Sequence, residues 1–141
     1  TVLDDRPEYV VPEFFDDRVT RKCLPLDNFG EFLSLDEYNG FIVVTRAHEF
    51  DNACLKQLRE QLPTYMGVMG SQKRVHYALE NLKAHGWTQE EIDMIYAPIG
   101  LDLGAQTPEE IALSIVSEYL AVTRGKKGQF LRRKRVVEHE S

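Results

Sequence analysis

Apolar residues fall along this chain in two rhythms. Short apolar runs read as strands: "TVLDD" at the start, "VTRKCL" over 19–24, "FIVVT" over 41–45, "YMGVM" over 65–69 and "MIYAPI" over 94–99. The second is the weakest of the five. The third is β-branched and apolar throughout, the composition of a strand covered on both faces, and the fourth is similar. Between the runs the spacing lengthens to that of helices. Phe50, Cys54, Leu58 and Leu62 recur every four residues over 50–62, and Val75, Ala78, Leu79 and Leu82 form an i, i+3, i+4, i+7 stripe over 71–85.

Two further helix starts are marked by side-chain chemistry. "TQEE" at 88–91 and "TPEE" at 107–110 each offer a Thr N-cap with Glu three residues on. In that pattern the two side chains satisfy orphan backbone donors reciprocally. Pro108 falls at the first helical position, where its missing N–H costs nothing. The helix it opens is expected to bury Ile111, Ile115 and Tyr119 with Ala112, Val116 and Leu120, and to stop at Gly125.

Strands alternating with helices predict an α/β fold: a Rossmann-like parallel sheet flanked by helices and joined by right-handed crossovers. With 141 residues the chain makes one domain, read as residues 1–125, followed by a basic tail over 126–141. Residues 124–141 carry seven Lys/Arg and two Glu, against ten basic and 21 acidic groups in residues 1–123. So acidic a body lacks the basic footprint that nucleic acid requires, and the tail reads as a solvated end or an assembly arm. No apolar run reaches the roughly 18 residues of a membrane span, and the opening is charged from its fourth residue, unlike a signal peptide. Cys23 and Cys54 lack metal-type spacing and read as buried thiols of a cytoplasmic protein.

Ligands of such sheets bind at the carboxyl ends of the strands, and four of these ends carry unusual residues. The first strand ends in Asp4 and Asp5, either acceptors for ribose hydroxyls or a polar turn before Pro7. After the third come Thr45, Arg46, His48 and Asp51. Arg46 suits a phosphate or carboxylate and His48 a proton exchange near neutral pH. His48 and Asp51 could instead be two ends of one helical turn, and as metal ligands they lack a third, so no metal site is assigned. After the fourth, Gly70 and Ser71 open a helix whose free N–H groups suit an anion, with Lys73 and Arg74 opposing the helix dipole unless an anion binds; a plain N-cap is the alternative. The last run leads into Gly100, Asp102 and Gly104, where the glycines let backbone approach a ligand and the carboxylate accepts from its amino or hydroxyl groups.

No G-x-G-x-x-G follows the first strand. The acidic end at Asp4 and Asp5 is what a dinucleotide fold places on its second strand. With strand order 3-2-1-4-5-6 the missing first strand is the central one, and its loss leaves the second facing the fourth across a gap. The expectation is that a cleaved-off or N-terminal segment, a partner chain or a swapped copy supplies it, or that the sheet order has changed.

"VLDDRPEY", "VVTRAHEFD", "YMGVMGSQKR" and "APIGLDLGAQTPEEIALSIVSEYLAVTRG", in this order, resemble the C-terminal Rossmann domain of the xanthine dehydrogenase accessory protein (XdhC/CoxI) family. The resemblance covers residues 1 to about 125. It implies a maturation factor rather than an enzyme. Such a factor binds molybdenum cofactor (molybdopterin), supports its sulfuration by a cysteine desulfurase, and delivers it to an apo molybdenum hydroxylase. The family's N-terminal domain, with its cysteine linked to cofactor handling, is absent, and neither Cys23 nor Cys54 sits in a matching motif. Two other readings stand beside it. One is an NAD(P)-dependent oxidoreductase using Asp4, Asp5 and His48; the other is a non-catalytic assembly module.

Overall fold

Parallel pairing is what the apolar runs achieve. β1 (Val2–Asp4) pairs in parallel with β2 (Arg21–Cys23), and β3 (Gly40–Val43) in parallel with β4 (Tyr65–Val68). The structure is a computed structural model and describes residues 1–61 and 63–133. Among the described residues the two pairs are not hydrogen-bonded to one another as a sheet: β1 and β3 line a common cleft, where the strand order predicted one strand too few.

Among the described residues four α-helices follow the sequence signals closely. They are α1 (His48–Leu58), α2 (Gln72–Ala84), α3 (Gln89–Asp93) and α4 (Pro108–Thr123). Both capping boxes form, Thr88 with Glu91 and Thr107 with Glu110. α1 begins earlier than its apolar spacing suggests and ends at Leu58, while Leu62 lies outside the described residues.

α1 and α2 pack against each other on one side of the sheet. Under them a single core gathers Phe41 and Val43 of β3, Met66 and Val68 of β4, Leu55 and Leu58 of α1, Leu82 of α2 and Trp87. Leu55, Leu58 and Leu82 are fully enclosed, each contributing about 1.5–3 kcal/mol of apolar burial. α4 lies on the opposite side. Its Tyr119 ring rests on Gly40, where an added Cβ would come within 2.5 Å of Tyr119 Cε2, and the Tyr119 hydroxyl donates to Asn39 Oδ1 at 2.7 Å. Tyr65, wholly buried, stacks on Tyr96 and meets Tyr119 edge-on.

Several expectations need correction. "MIYAPI" supplies no full strand: only Tyr96 bridges to Gly67, with Tyr96 N–H donating to Met66 O and Ile99 N–H to Val68 O. Pro98 has no N–H to extend that ladder. "FIVVT" is covered on one face only, since Ile42 and Val44 are 49% and 56% exposed while Val43 is buried. α4 buries Ile115 and Ser114, but Ala112, Val116 and Leu120 are exposed, because the sheet beneath offers that helix a single contact face. Cys23 is an exposed free thiol on the edge strand β2. Cys54 is buried, and that burial raises its thiol pKa to about 12.

Candidate functional site

The end of β1 is an arginine-clamped acidic pair. Asp4 accepts from Arg6 Nε at 3.0 Å and Nη2 at 3.1 Å, and also from the Arg6 backbone N–H at 2.9 Å. Asp5 meets Arg46 in a two-pronged pair, Nη1 to Oδ1 at 3.0 Å and Nη2 to Oδ2 at 2.9 Å. That guanidinium holds the Asp5 carboxyl at about pKa 2, below its ordinary 3.8. Arg46 also lies 4.1 Å over the Phe50 ring, so α1 orients the clamp. This pair joins the end of β1 to the loop after β3 across the mouth of the cleft.

Behind the clamp is a buried network that sequence spacing did not assemble. Asp51 of α1 has no exposure. Its Oδ2 accepts from Arg74 of α2 at 2.8 and 3.1 Å, and its Oδ1 lies 2.5 Å from Thr45 Oγ1. The Thr45 hydroxyl carries one proton, which it donates to Asp51 or to Ala47 O at 2.8 Å. Arg74 also donates to the Thr45 carbonyl at 2.8 Å. Thr45 is therefore a structural joint between β3, α1 and α2. Arg74, an apparent affront to its own helix dipole, is neutralised from α1. The basic residue in a first helical turn was the one sequence signal of an anionic partner for Arg74; the partner's identity, 23 positions earlier, was not in the spacing.

His48 opens α1, half exposed, with Nε2 at 3.2 Å from Glu49 Oε1. It shares no bond with Asp51, whose oxygens belong to Thr45 and Arg74. Ser71 caps α2 by accepting from Arg74 N–H at 3.1 Å. Among the described residues the N–H groups of Gln72 and Lys73, which precede that capped donor, have no acceptor. Gly70 is pressed by Arg74: a Cβ there would sit 3.1 Å from Arg74 Cδ.

The loop after Ile99 divides into two parts. Gly100, at φ +105°, has its missing side chain filled by α4: a Cβ would lie 2.5 Å from Ser114 Oγ. Its N–H donates to Glu118 Oε1 at 3.0 Å, the same oxygen that takes the Tyr65 hydroxyl at 2.6 Å. Gly100 thus serves the docking of α4. Gly104, at φ +69°, has open space around it, and Asp102 is exposed with no hydrogen-bond partner among the described residues. The structure thus joins Asp4, Asp5, Thr45 and Arg46 with Arg6, Asp51 and Arg74. Among the described residues no hydrogen bond ties Asp102 or Gly104 to that cluster.

Similarity to known proteins follows this geometry. The family model for the XdhC Rossmann domain matches residues 1–119. The chain is 32% identical over 128 residues to the uncharacterized protein YqeB of Escherichia coli K12, covering 90% of this chain and 23% of that one. It is 30% identical over 122 residues to a probable xanthine dehydrogenase subunit of Bacillus subtilis 168, covering 84% of this chain and 34% of that one. The molybdenum cofactor insertion chaperone PaoD of E. coli K12 is 35% identical over 68 residues, 48% of this chain and 21% of PaoD. The crystal structure of a xanthine dehydrogenase from Bacillus halodurans superposes with a TM-score of 0.68 at 29% identity, covering 89% of this chain and 35% of that one. The chain thus spans about a third or less of the length of these relatives. With the match running from β1 through most of α4, the chain belongs to the XdhC Rossmann-domain family.

Proposed function

We propose that this domain takes part in molybdenum hydroxylase maturation by binding molybdenum cofactor at the carboxyl edge of its sheet, without turning it over. The observation that carries this reading is a division of labour along that edge. The acidic and basic groups around Thr45 are committed to each other, while the first-turn N–H groups of α2, the Lys73 side chain beside them, and Asp102 remain uncommitted among the described residues. Free helix amides suit a phosphate and a free carboxylate suits the amino edge of a pterin. That donor set fits a phosphate-bearing pterin, alone or extended by a nucleotide. Gly70, Ser71 and Lys73 would hold the phosphate end, and Asp102 the pterin's polar edge. When bound, the cofactor brings a metal centre whose chemistry belongs to the recipient enzyme; the residues here bind, orient and release.

The names of two relatives support the same setting, a molybdenum cofactor insertion chaperone and a probable xanthine dehydrogenase subunit. The partners of such a role are an apo molybdenum hydroxylase and a cysteine desulfurase, met in the cytoplasm. The domain would act within an oligomer or a longer polypeptide.

An NAD(P)-dependent oxidoreductase fits the geometry less well. Its ribose acceptors, Asp4 and Asp5, are occupied by Arg6 and Arg46, and its acid/base candidate His48 pairs with Glu49. A pure assembly module leaves the uncommitted groups without a purpose. The deciding experiment adds purified molybdenum cofactor, and separately NADPH, to the protein and reads retention by native mass spectrometry and pterin fluorescence. Saturable retention of the pterin alone is expected. Retention of the nicotinamide nucleotide alone, or of neither, would overturn the proposal.

A further inference from the structure

α4 is apolar on its outward face as well as on the face that it buries. Ser114, Ile115, Glu118 and Tyr119 turn toward the domain: Ile115 is buried, Glu118 accepts from Tyr65 and Gly100, and the Tyr119 hydroxyl reaches Asn39. At about 3.6 residues per turn, Leu113, Val116 and Leu120 fall within about 60° of one another on the far side of the helix. They are 60%, 59% and 48% exposed. A surface helix ordinarily turns polar and charged residues outward, so a contiguous apolar stripe there marks a contact surface. An element laid beside α4 on the same sheet would meet a flank of the helix, whereas this stripe points out of that layer.

Charge brackets the stripe. Glu109 lies one turn before Leu113 and Arg124 one turn after Leu120, and both are exposed. Among the described residues neither takes part in an ion pair. Lys126 and Lys127 follow, also exposed, in the turn closed by Lys126 N–H on Ala121 O. The order acid, Leu, Val, Leu, base complements itself when turned end for end. Residues 113 and 120 share their midpoint with residues 109 and 124, just beyond Val116. A two-fold axis there sets each Leu113 against the second copy's Leu120 and each Glu109 against its Arg124. Parallel pairing would instead oppose like charges at both ends. One patch that meets itself is what a two-fold dimer requires, and charges flanking an apolar helical seam set the orientation of the pair.

We propose that two copies of this chain associate through antiparallel α4 helices. Leu113, Val116 and Leu120 form the seam, and Glu109–Arg124 pairs close both ends. The basic turn of one copy then lies at the start of the other's α4, the end from which the loop carrying Asp102 enters that helix. Three apolar side chains from each copy make a small interface, so the association is weak and depends on concentration.

Sedimentation velocity of the 141-residue chain across micromolar concentrations tests this, and a monomer–dimer equilibrium is expected. Val116→Glu brings two carboxylates together at the axis and should weaken association by about tenfold or more. Its urea midpoint should stay unchanged, because the side chain points away from its own domain. Glu109→Arg and Arg124→Glu should each weaken self-association several-fold, since each opposes like charges at both ends of the seam. An equimolar mixture of these two variants restores opposite charges at both ends and should recover the wild-type affinity as a heterodimer. A chain that stays monomeric throughout would overturn the proposal and give the stripe to a different protein or segment. A dimer indifferent to Val116→Glu would overturn it by placing the contact elsewhere, and a mixture no tighter than its components would overturn the antiparallel register.

Discussion

Asp51 and Arg74 form an ion pair whose carboxylate is wholly removed from water, 2.8 Å from the guanidinium, and the pair ties the starts of α1 and α2 to the end of β3. Breaking a pair of this kind costs more than never having made it, because the remaining charge is left buried. Arg74→Ala should therefore destabilise the domain by about 3–5 kcal/mol. Replacing both partners together, Asp51→Leu with Arg74→Met, should lose less than that single change. Urea unfolding of the three proteins checks this; a double variant as weak as Arg74→Ala would mean that packing and not charge dominates.

Acid sensitivity has an origin at the far end of α1. Glu91 closes the Thr88 capping box and pairs with Arg59, which also donates to Gly86 O and stacks over Trp87. The Arg59 bond is the main cause that holds the Glu91 carboxyl at about pKa 2, below its ordinary 4.5. A depressed folded-state pKa stabilises the protein above the unfolded value, and that stability is lost as pH falls from about 4.5 toward 2. Asp5 behaves in the same way through Arg46. The urea midpoint should fall across this window, and Glu91→Gln should flatten the fall while leaving the Asp5 contribution. An unchanged pH profile in Glu91→Gln would remove Glu91 from the account.

What the sequence made legible was local. Thr88 and Thr107 announce their helices because a capping box lies within four residues, and "YMGVM" announces a buried strand because all its neighbours are supplied. "FIVVT" reads as covered on both faces because its composition is apolar throughout, yet Ile42 and Val44 are exposed, since composition does not report which face the neighbouring elements pack on. The gap beside β1 is legible from the acidic strand end and the absent glycine motif, through the order in which such sheets are wound. The site is harder. Asp51 with Arg74, and Gly100 with Ser114, are pairs 23 and 14 positions apart whose meeting depends on how helices pack, which no short window encodes.

The two glycines of the last loop should separate packing from exposure. Gly104→Ala places a side chain at φ +69° in open space, at about 1–2 kcal/mol for the left-handed backbone alone. Gly100→Ala adds a collision with Ser114 Oγ at 2.5 Å and should cost roughly 3 kcal/mol or more. Ser114→Ala should recover part of the second loss and none of the first. Equal costs for the two glycine variants in thermal unfolding would show that α4 yields at Ser114.

Asp102 offers the cleanest separation of binding from folding. Its carboxylate is exposed and free of hydrogen bonds among the described residues, so Asp102→Asn should change unfolding free energy by no more than about 0.5 kcal/mol. If it accepts from a pterin's amino edge, the same change should weaken cofactor retention about tenfold, the scale of one hydrogen bond to a charged group. Lys73→Gln should weaken retention of a phosphate-bearing pterin more than that of its dephosphorylated form, because the lost charge faces the anion alone. Ser71→Ala is less informative, since removing an N-cap costs about 1 kcal/mol of stability in its own right. Fluorescence titration of the pterin against Asp102→Asn and Lys73→Gln, with unfolding measured on the same samples, decides the matter. Full retention in both variants would move the cofactor away from this edge, whereas paired loss at constant stability would place its two ends on Asp102 and the start of α2.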